Sequence, residues 1–380
     1  MIPQEPQPWL CTNEVGITEI VLLERQKVIH INRMVGVSSP ALLTVGCSPG
    51  QHLDLDAVPM ARMVAPESMN CSKTFYNTTS VIVARMGSQT NMFHRFSSEW
   101  YPAFFIPAMF RIPLSTITFI RLDSWEPDHT LNEVLNQREG FATVFHSSTV
   151  PPGETWCFNT SWLLHANFYF NYPPGQPLLL PSSLPPFLSF WGKHMLELYG
   201  VKRRENKLKK EPPLLLYSER TNRRLLNIDE VIQKLAETTL HEGQRWRNHS
   251  ILHSVLLGEL PLEEQVRWMA KVDILVGMHG AGLTWIPLLE QGGAVVEIYP
   301  PLLHKPHYTL MSLAAGIKYY QYNLTMEDKA GNCDNTPTED LQKKYQEGTW
   351  DGRFCDYRVN ATRLAALILT AVENWYKMKN

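Results

Sequence analysis

From Leu214 to Asn323 the sequence alternates short apolar runs with amphipathic stretches, and this alternation constrains the fold more than any other feature. "LLLY" (Leu214–Tyr217) predicts a short buried strand. Ile228, Val231, Ile232 and Leu235 follow at helical spacing, with Asn227 or Asp229 placed to cap. "SILHSVLL" predicts a second strand. "PLEEQVRWMA" predicts a helix with Pro261 in its first turn and acidic residues behind it, as the helix dipole favours. A strand over Val272–Val276, a helix from about Ala281, a strand over Ala294–Tyr299, a helix near His307–Ala315 and the strand "KYYQYN" complete the series. Strands alternating with helices pack as a parallel, doubly wound α/β sheet. "YRVNATRLAALILTAVENWYKM" predicts a long amphipathic C-terminal helix.

The N-terminal half is less regular. "SVIVARM", "AFFIP", "STITFIRL" and "FATVF" predict strands, and "FHRFSSEWYPAFF" includes a helical pattern. Prolines from Pro173 to Pro186 mark an irregular loop before the helical stretch "FLSFWGKHMLELYG". A chain of 380 residues is longer than one core usually spans. Two α/β domains are therefore expected, over 1–200 and 214–358, with the C-terminal helix at 359–380. Between them, residues 201–213 carry Lys202, Arg203, Arg204, Lys207, Lys209 and Lys210 and read as a solvated basic linker.

A hydrophobic fraction of 44% against 19% charged residues supports a sizeable core. The net charge of −2 gives no reason to expect a nucleic-acid partner. No apolar run approaches the roughly 20 residues of a membrane span. The first residues, "MIPQEPQPWL", lack the basic-then-apolar pattern of a signal peptide, so a targeting segment or membrane anchor would lie outside this sequence. Two features nevertheless point to the secretory pathway. Sequons occur at Asn70, Asn77, Asn159, Asn248, Asn323 and Asn360. The cysteines (Cys11, Cys47, Cys71, Cys157, Cys333 and Cys355) are even in number and form no C-x-x-C pair, which favours disulfides over metal binding. Cys333–Cys355 is the first pairing suggested, because both lie in polar, turn-rich stretches.

Three strand ends carry polar groups that suit a phosphorylated ligand. The turn "GMHGAGLT" follows a strand and leads into a helix, so its glycines admit close approach and its N–H groups favour an anion. The same glycines equally suit a plain strand-to-helix turn. Their spacing matches neither the dinucleotide fingerprint nor a Walker A loop, which argues against an NAD-dependent enzyme. His279 adds a titratable ring at that end. Glu297 closes the next strand, where a carboxylate can accept hydrogen bonds from a ribose diol or form a surface pair. Arg220, Arg223 and Arg224 follow the strand at Leu214, where guanidinium groups can bind diphosphate oxygens.

"VDILVGMHGAGLTWIPLLEQGGAVVEIYP" and "YSERTNRRLLNIDEVI" resemble the signatures of glycosyltransferase family 61, and "NMFHRFSSEWYPAFF" resembles its Phe-His motif. The resemblance implies a GT-B fold, two Rossmann-like domains facing across a cleft with the C-terminal helix packing back. It implies a UDP-sugar donor carrying N-acetylglucosamine or xylose, a glycoprotein or glycan acceptor, inversion at the anomeric carbon, and an N-glycosylated protein in the lumen of the endoplasmic reticulum or Golgi. By the same resemblance Arg220, Arg224, His279, Gly280, Ala281, Gly282 and Thr284 bind the nucleotide sugar, and Glu297 lies near its ribose. His94 and Glu99 become the catalytic candidates, with Ser98 and Glu99 standing where the family usually shows Asp. Trp285 follows the turn at a position able to shape donor or acceptor choice. No metal and no cofactor is implied, since fixed cations can stabilise the leaving diphosphate. "DLD" at Asp54–Asp56 sits in a polar stretch and reads as a loop. No further β-sandwich is expected after the last helix, which argues mildly against the family's O-mannose-extending branch. A protein of this fold that binds nucleotide sugar or glycan without catalysis is the competing reading.

Overall fold

A computed structural model of the protein describes residues 17–21, 27–31, 35–38, 42–46, 61–64, 70–84, 96, 100, 104, 111–121, 143–146, 150–165, 184–203, 212–221, 223–237, 252–301, 303, 305–330 and 355–379. The chain divides into two units, Met1–Tyr169 and Phe170–Asn380. In the first, nine strands form one sheet: β1 (Ile17–Val21), β2 (Lys27–Ile31), β3 (Val35–Ser38), β4 (Leu42–Gly46), β5 (Ala61–Val64), β6 (Lys73–Ala84), β7 (Ile117–Arg121), β8 (Thr143–His146) and β9 (Thr155–His165). Seven of them run in the order β5-β4-β3-β9-β6-β7-β8, and β1 pairs with β2, which joins the sheet at β9.

Strand β9 is long enough to serve two partners on one edge. Its first half pairs with β3 and its second half with β2, both antiparallel. Its other edge pairs in parallel with β6, and β7 and β8 continue that parallel run. Ile117 to Ile120 of β7 are all buried, as a strand covered on both faces requires. The sheet is therefore mixed where a Rossmann-like domain was expected, because β1 to β4 bring antiparallel pairings. "SVIVARM", "STITFIRL" and "FATVF" supply β6, β7 and β8, as the alternation predicted. "AFFIP" does not supply a strand at Phe104. Phe96, Trp100 and Phe104 are each helical, four residues apart and wholly buried, in line with the helical pattern of "FHRFSSEWYPAFF". A disulfide joins Cys71 to Cys157 beside the β6–β9 pairing. Next to it, Phe75 stacks on Phe158 at 4.8 Å and the Lys73 ammonium lies over Phe75 and Trp156.

In the second unit, helix α1 (Leu184–Leu198) starts with Pro185 and Pro186 in its first turn, so the proline-rich stretch ends inside a helix. Five strands then pair in parallel: β10 (Leu215–Ser218), β11 (Leu252–Val255), β12 (Ile274–Met278), β13 (Ala294–Tyr299) and β14 (Lys318–Asn323). Their order is β11-β10-β12-β13-β14. The connecting helices are α2 (Ile228–Glu237), α3 (Leu262–Met269), a 3-10 helix (Ala281–Leu288) and α4 (His307–Ala315), with α5 (Ala361–Lys379) last. Each predicted strand and helix of this half is present. The stretch after Gly280 coils as a 3-10 rather than an α-helix, with Pro287 inside it. A short antiparallel pair, β15 (Lys329–Ala330) with β16 (Asp356–Tyr357), follows the sheet.

Side chains alternate between the two faces of this sheet. Leu215, Tyr217, Ile274, Val276, Val296 and Ile298 join Val231 and Leu235 of α2 and Leu364, Ile368 and Val372 of α5 in one core. Each full burial of such a side chain contributes about 1.5–3 kcal/mol. The C-terminal helix thus packs back on the sheet. The opposite face is covered by α1, α3, the 3-10 helix and α4. There Trp191 stacks on Trp285, 5.9 Å between centroids, and the Arg203 guanidinium donates to the Pro287 carbonyl at 3.2 Å. Arg203 was expected in a solvated linker, and its hydrogen bond instead ties that stretch to the 3-10 helix. Among the described residues no helix is long and apolar enough to cross a membrane.

Candidate functional site

The strand order places a switch point between β10 and β12. The chain leaves β10 for α2 on one face and leaves β12 for the 3-10 helix on the other. Open α/β sheets hold ligands in the crevice that forms there, beyond the carboxyl ends of the strands. Ser218 pairs with Gly277, and Gly277 with Glu297, so these three residues stand in a row across the sheet.

The strand expected to stop at Gly277 runs through it to Met278, and the His279 N–H continues the ladder by donating to the Ile298 carbonyl at 2.8 Å. The chain breaks away only at Gly280, whose φ of 147° lies in the region open to glycine. A side chain at 280 would also run into the Arg220 guanidinium, which lies against this backbone. At Gly282 a Cβ would come within 2.5 Å of Ser218 Oγ. The glycines therefore admit the protein's own β10 end, which brings a guanidinium onto the turn. The 3-10 helix that follows leaves its first N–H groups, at Ala281 and Gly282, without intrahelical acceptors.

Beneath the turn lies a buried polar chain. His279 Nδ1 is 2.5 Å from Glu297 Oε1, and the Tyr319 hydroxyl donates to Glu297 Oε2 at 2.6 Å. Glu297 is inside β13, followed by Ile298 and Tyr299, and is 0% exposed. It was expected at the strand's edge facing a ribose. Its oxygens instead serve His279 and Tyr319, because a central strand of a doubly covered sheet buries both faces. Burial pushes its carboxyl up to about 8, against the smaller opposing effect of the Tyr319 hydrogen bond. Burial also drives His279 well below its ordinary range, helped by the nearby Arg223, Lys305 and Arg220 cations. Tyr299 and Tyr308 hold the ring edge-on at 5.0 and 5.2 Å.

The sequence-derived candidates separate into groups. Arg220, His279, Gly280, Ala281 and Gly282 are brought together at the switch point. Thr284 is wholly buried in the 3-10 helix. Arg224 turns away: its guanidinium donates to Asp356 Oδ2 at 2.7 and 3.1 Å, and its N–H to Oδ1 at 2.8 Å. Arg223, its neighbour, is buried and acts on His279 instead. Its left-handed backbone (φ 54°) throws the two side chains to different sides. Trp285 is core rather than ligand surface, with its indole N–H donating to Gln265 Oε1 at 2.9 Å. His94 and Glu99 lie outside the described residues, as do Ser98 and Asp54–Asp56. Cys355 is disulfide-bonded, while Cys333, the partner first suggested, is outside the described residues. Sequence reasoning missed Tyr319, Tyr308, Lys305 and Ser218. Of these, Tyr319 carried a signal: it sits two residues before Gln321, which pairs with Glu297, so both side chains share a face.

A doubly wound sheet with an arginine and a glycine turn at its switch point is an architecture for anionic ligands. The model of the family Glycosyltransferase 61 matches residues 92–296, and the chain belongs to that family. Protein O-linked-mannose beta-1,4-N-acetylglucosaminyltransferase 2 of Mus musculus is 23% identical over 315 residues, which cover 79% of this chain and 50% of the relative. The Danio rerio protein of the same name is 26% identical over 214 residues, 51% of this chain and 35% of that one. A beta-1,2-xylosyltransferase of Oryza sativa subsp. japonica is 28% identical over 108 residues, 28% of this chain and 20% of the relative. The chain spans about half the length of the first two of these relatives or less.

Proposed function

We propose that the protein is an inverting glycosyltransferase that moves a sugar from a UDP-sugar to a hydroxyl of a glycoprotein or glycan acceptor. In this reading the second unit binds the donor, the first unit serves the acceptor, and the two form a GT-B arrangement. The observation that carries it is the Arg220 guanidinium held against the Gly280 backbone at the switch point. The names of the relatives, an N-acetylglucosaminyltransferase and a xylosyltransferase, support N-acetylglucosamine or xylose as the transferred sugar.

An inverting transfer needs a base for the acceptor hydroxyl and a means of stabilising the departing nucleotide diphosphate. Arg220, the first N–H groups of the 3-10 helix and His279 supply the second, with Arg223 adding positive charge behind the ring. Such fixed cations make a metal unnecessary. Arg224 serves the Asp356 contact rather than the phosphate. Glu297 acts on His279 rather than on the ribose. His94 or Glu99 is the base. A lumenal protein, in the endoplasmic reticulum or Golgi, fits the Cys71–Cys157 disulfide and the exposed sequons at Asn70, Asn323 and Asn360.

The test is calorimetric titration with UDP, followed by transfer assays with UDP-N-acetylglucosamine and UDP-xylose on O-mannosyl, EGF-domain and N-glycan acceptors. We expect UDP to bind in the presence of chelator and one donor to support transfer. Arg220→Ala should weaken UDP by about tenfold or more, the scale of a charged hydrogen bond. Binding without transfer to any acceptor would favour the non-catalytic reading. If His94→Ala and Glu99→Gln both keep near-normal turnover, the base is another residue.

A further inference from the structure

His279 ends a buried chain of three side chains, and hydrogen counting along that chain fixes what its free nitrogen can do. When the His279–Glu297 pair is neutral overall it holds two exchangeable hydrogens. One lies between Nδ1 and Oε1, on whichever atom it resides. The other is then on Nε2, whether the ring is the neutral tautomer or an imidazolium. When the pair loses a proton, the remaining hydrogen stays between Nδ1 and the carboxylate, since two lone pairs would otherwise face each other at 2.5 Å. Nε2 then becomes a bare acceptor, which repels phosphate oxygens. Tyr319 fixes the other carboxylate oxygen and so reserves Oε1 for the ring. Nε2 has no protein partner among the described residues, and 8% of the side chain remains accessible.

We propose that Glu297 and Tyr319 are positioning residues that make His279 Nε2 a hydrogen-bond donor to the diphosphate of the nucleotide, and that nucleotide binding weakens when the pair gives up its proton. This rests on the donor reading above. The raised Glu297 carboxyl, about 8, keeps the pair neutral at physiological pH and places the loss just above it. The other groups facing His279 are Arg220, Arg223, Lys305, Tyr299, Tyr308 and His307. Arginine stays charged throughout, lysine and tyrosine ordinarily titrate near 10, and histidine near 6.5. Burial raises Tyr308 and Tyr319 further. A break between pH 7.5 and 9 therefore reports the pair.

The experiment is titration of the whole chain with UDP from pH 7 to about 8.5, a range in which the nucleotide's phosphate, with a last ionisation near 6, is fully charged and its uracil N3–H is not yet ionised. The wild-type dissociation constant should be level to about pH 8 and then rise roughly tenfold per unit, as loss of one required proton dictates. In Glu297→Gln the amide donates to Nδ1, keeps the hydrogen on Nε2, and should remove the slope. Tyr319→Phe should move the break to higher pH, because the hydroxyl favours the ionised carboxylate. At pH 8.5, titration in two buffers of different ionisation enthalpy should show uptake of most of one proton. That measurement on the wild type decides the matter even if a variant fails to fold. A level wild-type profile, no proton uptake, or a slope that persists in Glu297→Gln overturns the proposal while leaving the donor site intact. Failure of UDP to bind at any pH overturns the donor reading itself.

Discussion

The nine-stranded and five-stranded sheets handle polar groups and ends differently. In the first unit, antiparallel strands line one half of β9 after the other, and a disulfide ties the segment before β6 to β9. In the five-stranded sheet of the second, every pairing is parallel, helices cover both faces, and the central strands are buried throughout. A polar side chain inside such a strand is costly without a partner. Ser218 and Glu297 are therefore informative where a polar residue on a half-exposed sheet would not be. Both units hold a disulfide-bonded cysteine, and the second also holds a turn open only to glycine and a buried carboxylate near the carboxyl ends of its strands.

That contrast makes separable predictions. The largest effect should follow Cys71→Ser. The two cysteines are 86 residues apart, and the chain-entropy model assigns about 4–5 kcal/mol to closing such a loop. Hydrogen exchange should show the loss in residues 70–165 and leave β10–β14 protected. Equal loss in both units would break the comparison. Next comes Gly280→Ala, which combines an unfavourable φ, about 1–3 kcal/mol, with displacement of Arg220. Its signature is loss of UDP binding with the first unit unaffected.

A smaller effect should appear with pH. Glu297 has a raised pKa in the folded chain, so its stabilising contribution is complete below pH 4.5 and is lost as pH rises to about 8. His279 is depressed and works in the opposite sense, with its contribution complete above about 6.5. Between pH 6.5 and 8 only the carboxyl acts, and unfolding free energy should fall by about 2 kcal/mol. Denaturant titration of Glu297→Gln should show that decline removed. The smallest change should come from Arg224→Ala, which leaves UDP affinity within about threefold because its partner is Asp356. A loss as large as that of Arg220→Ala would reassign Arg224 to the phosphate.

Much of the second unit was legible because its periodicities are strong. Apolar runs of four to six residues alternate with helical spacings, and each became an element at or within a few residues of its expected place. The first unit was harder to read. Short β-rich runs do not say whether a neighbour is parallel, and Phe104, in "AFFIP", is helical where local propensity reads strand. At the site, residue types were legible and their directions were not. Two adjacent arginines look alike in sequence, yet a left-handed residue at Arg223 sends one inward and the other to Asp356. The sequence places Glu297 at the close of its strand, but the ladder with β14 continues past it to Tyr299 and Asn323.

The alternating elements, the strand–turn–helix at "GMHGAGLT" and the family motifs are written in the chain, because these rest on local backbone preference and on side-chain period. What approaches Gly280 and which groups flank His279 follow from long-range packing. Those contacts join residues from β10, β12, β13 and β14, which are distant along the chain. They become neighbours through strand order and register, and neither is encoded in any one segment.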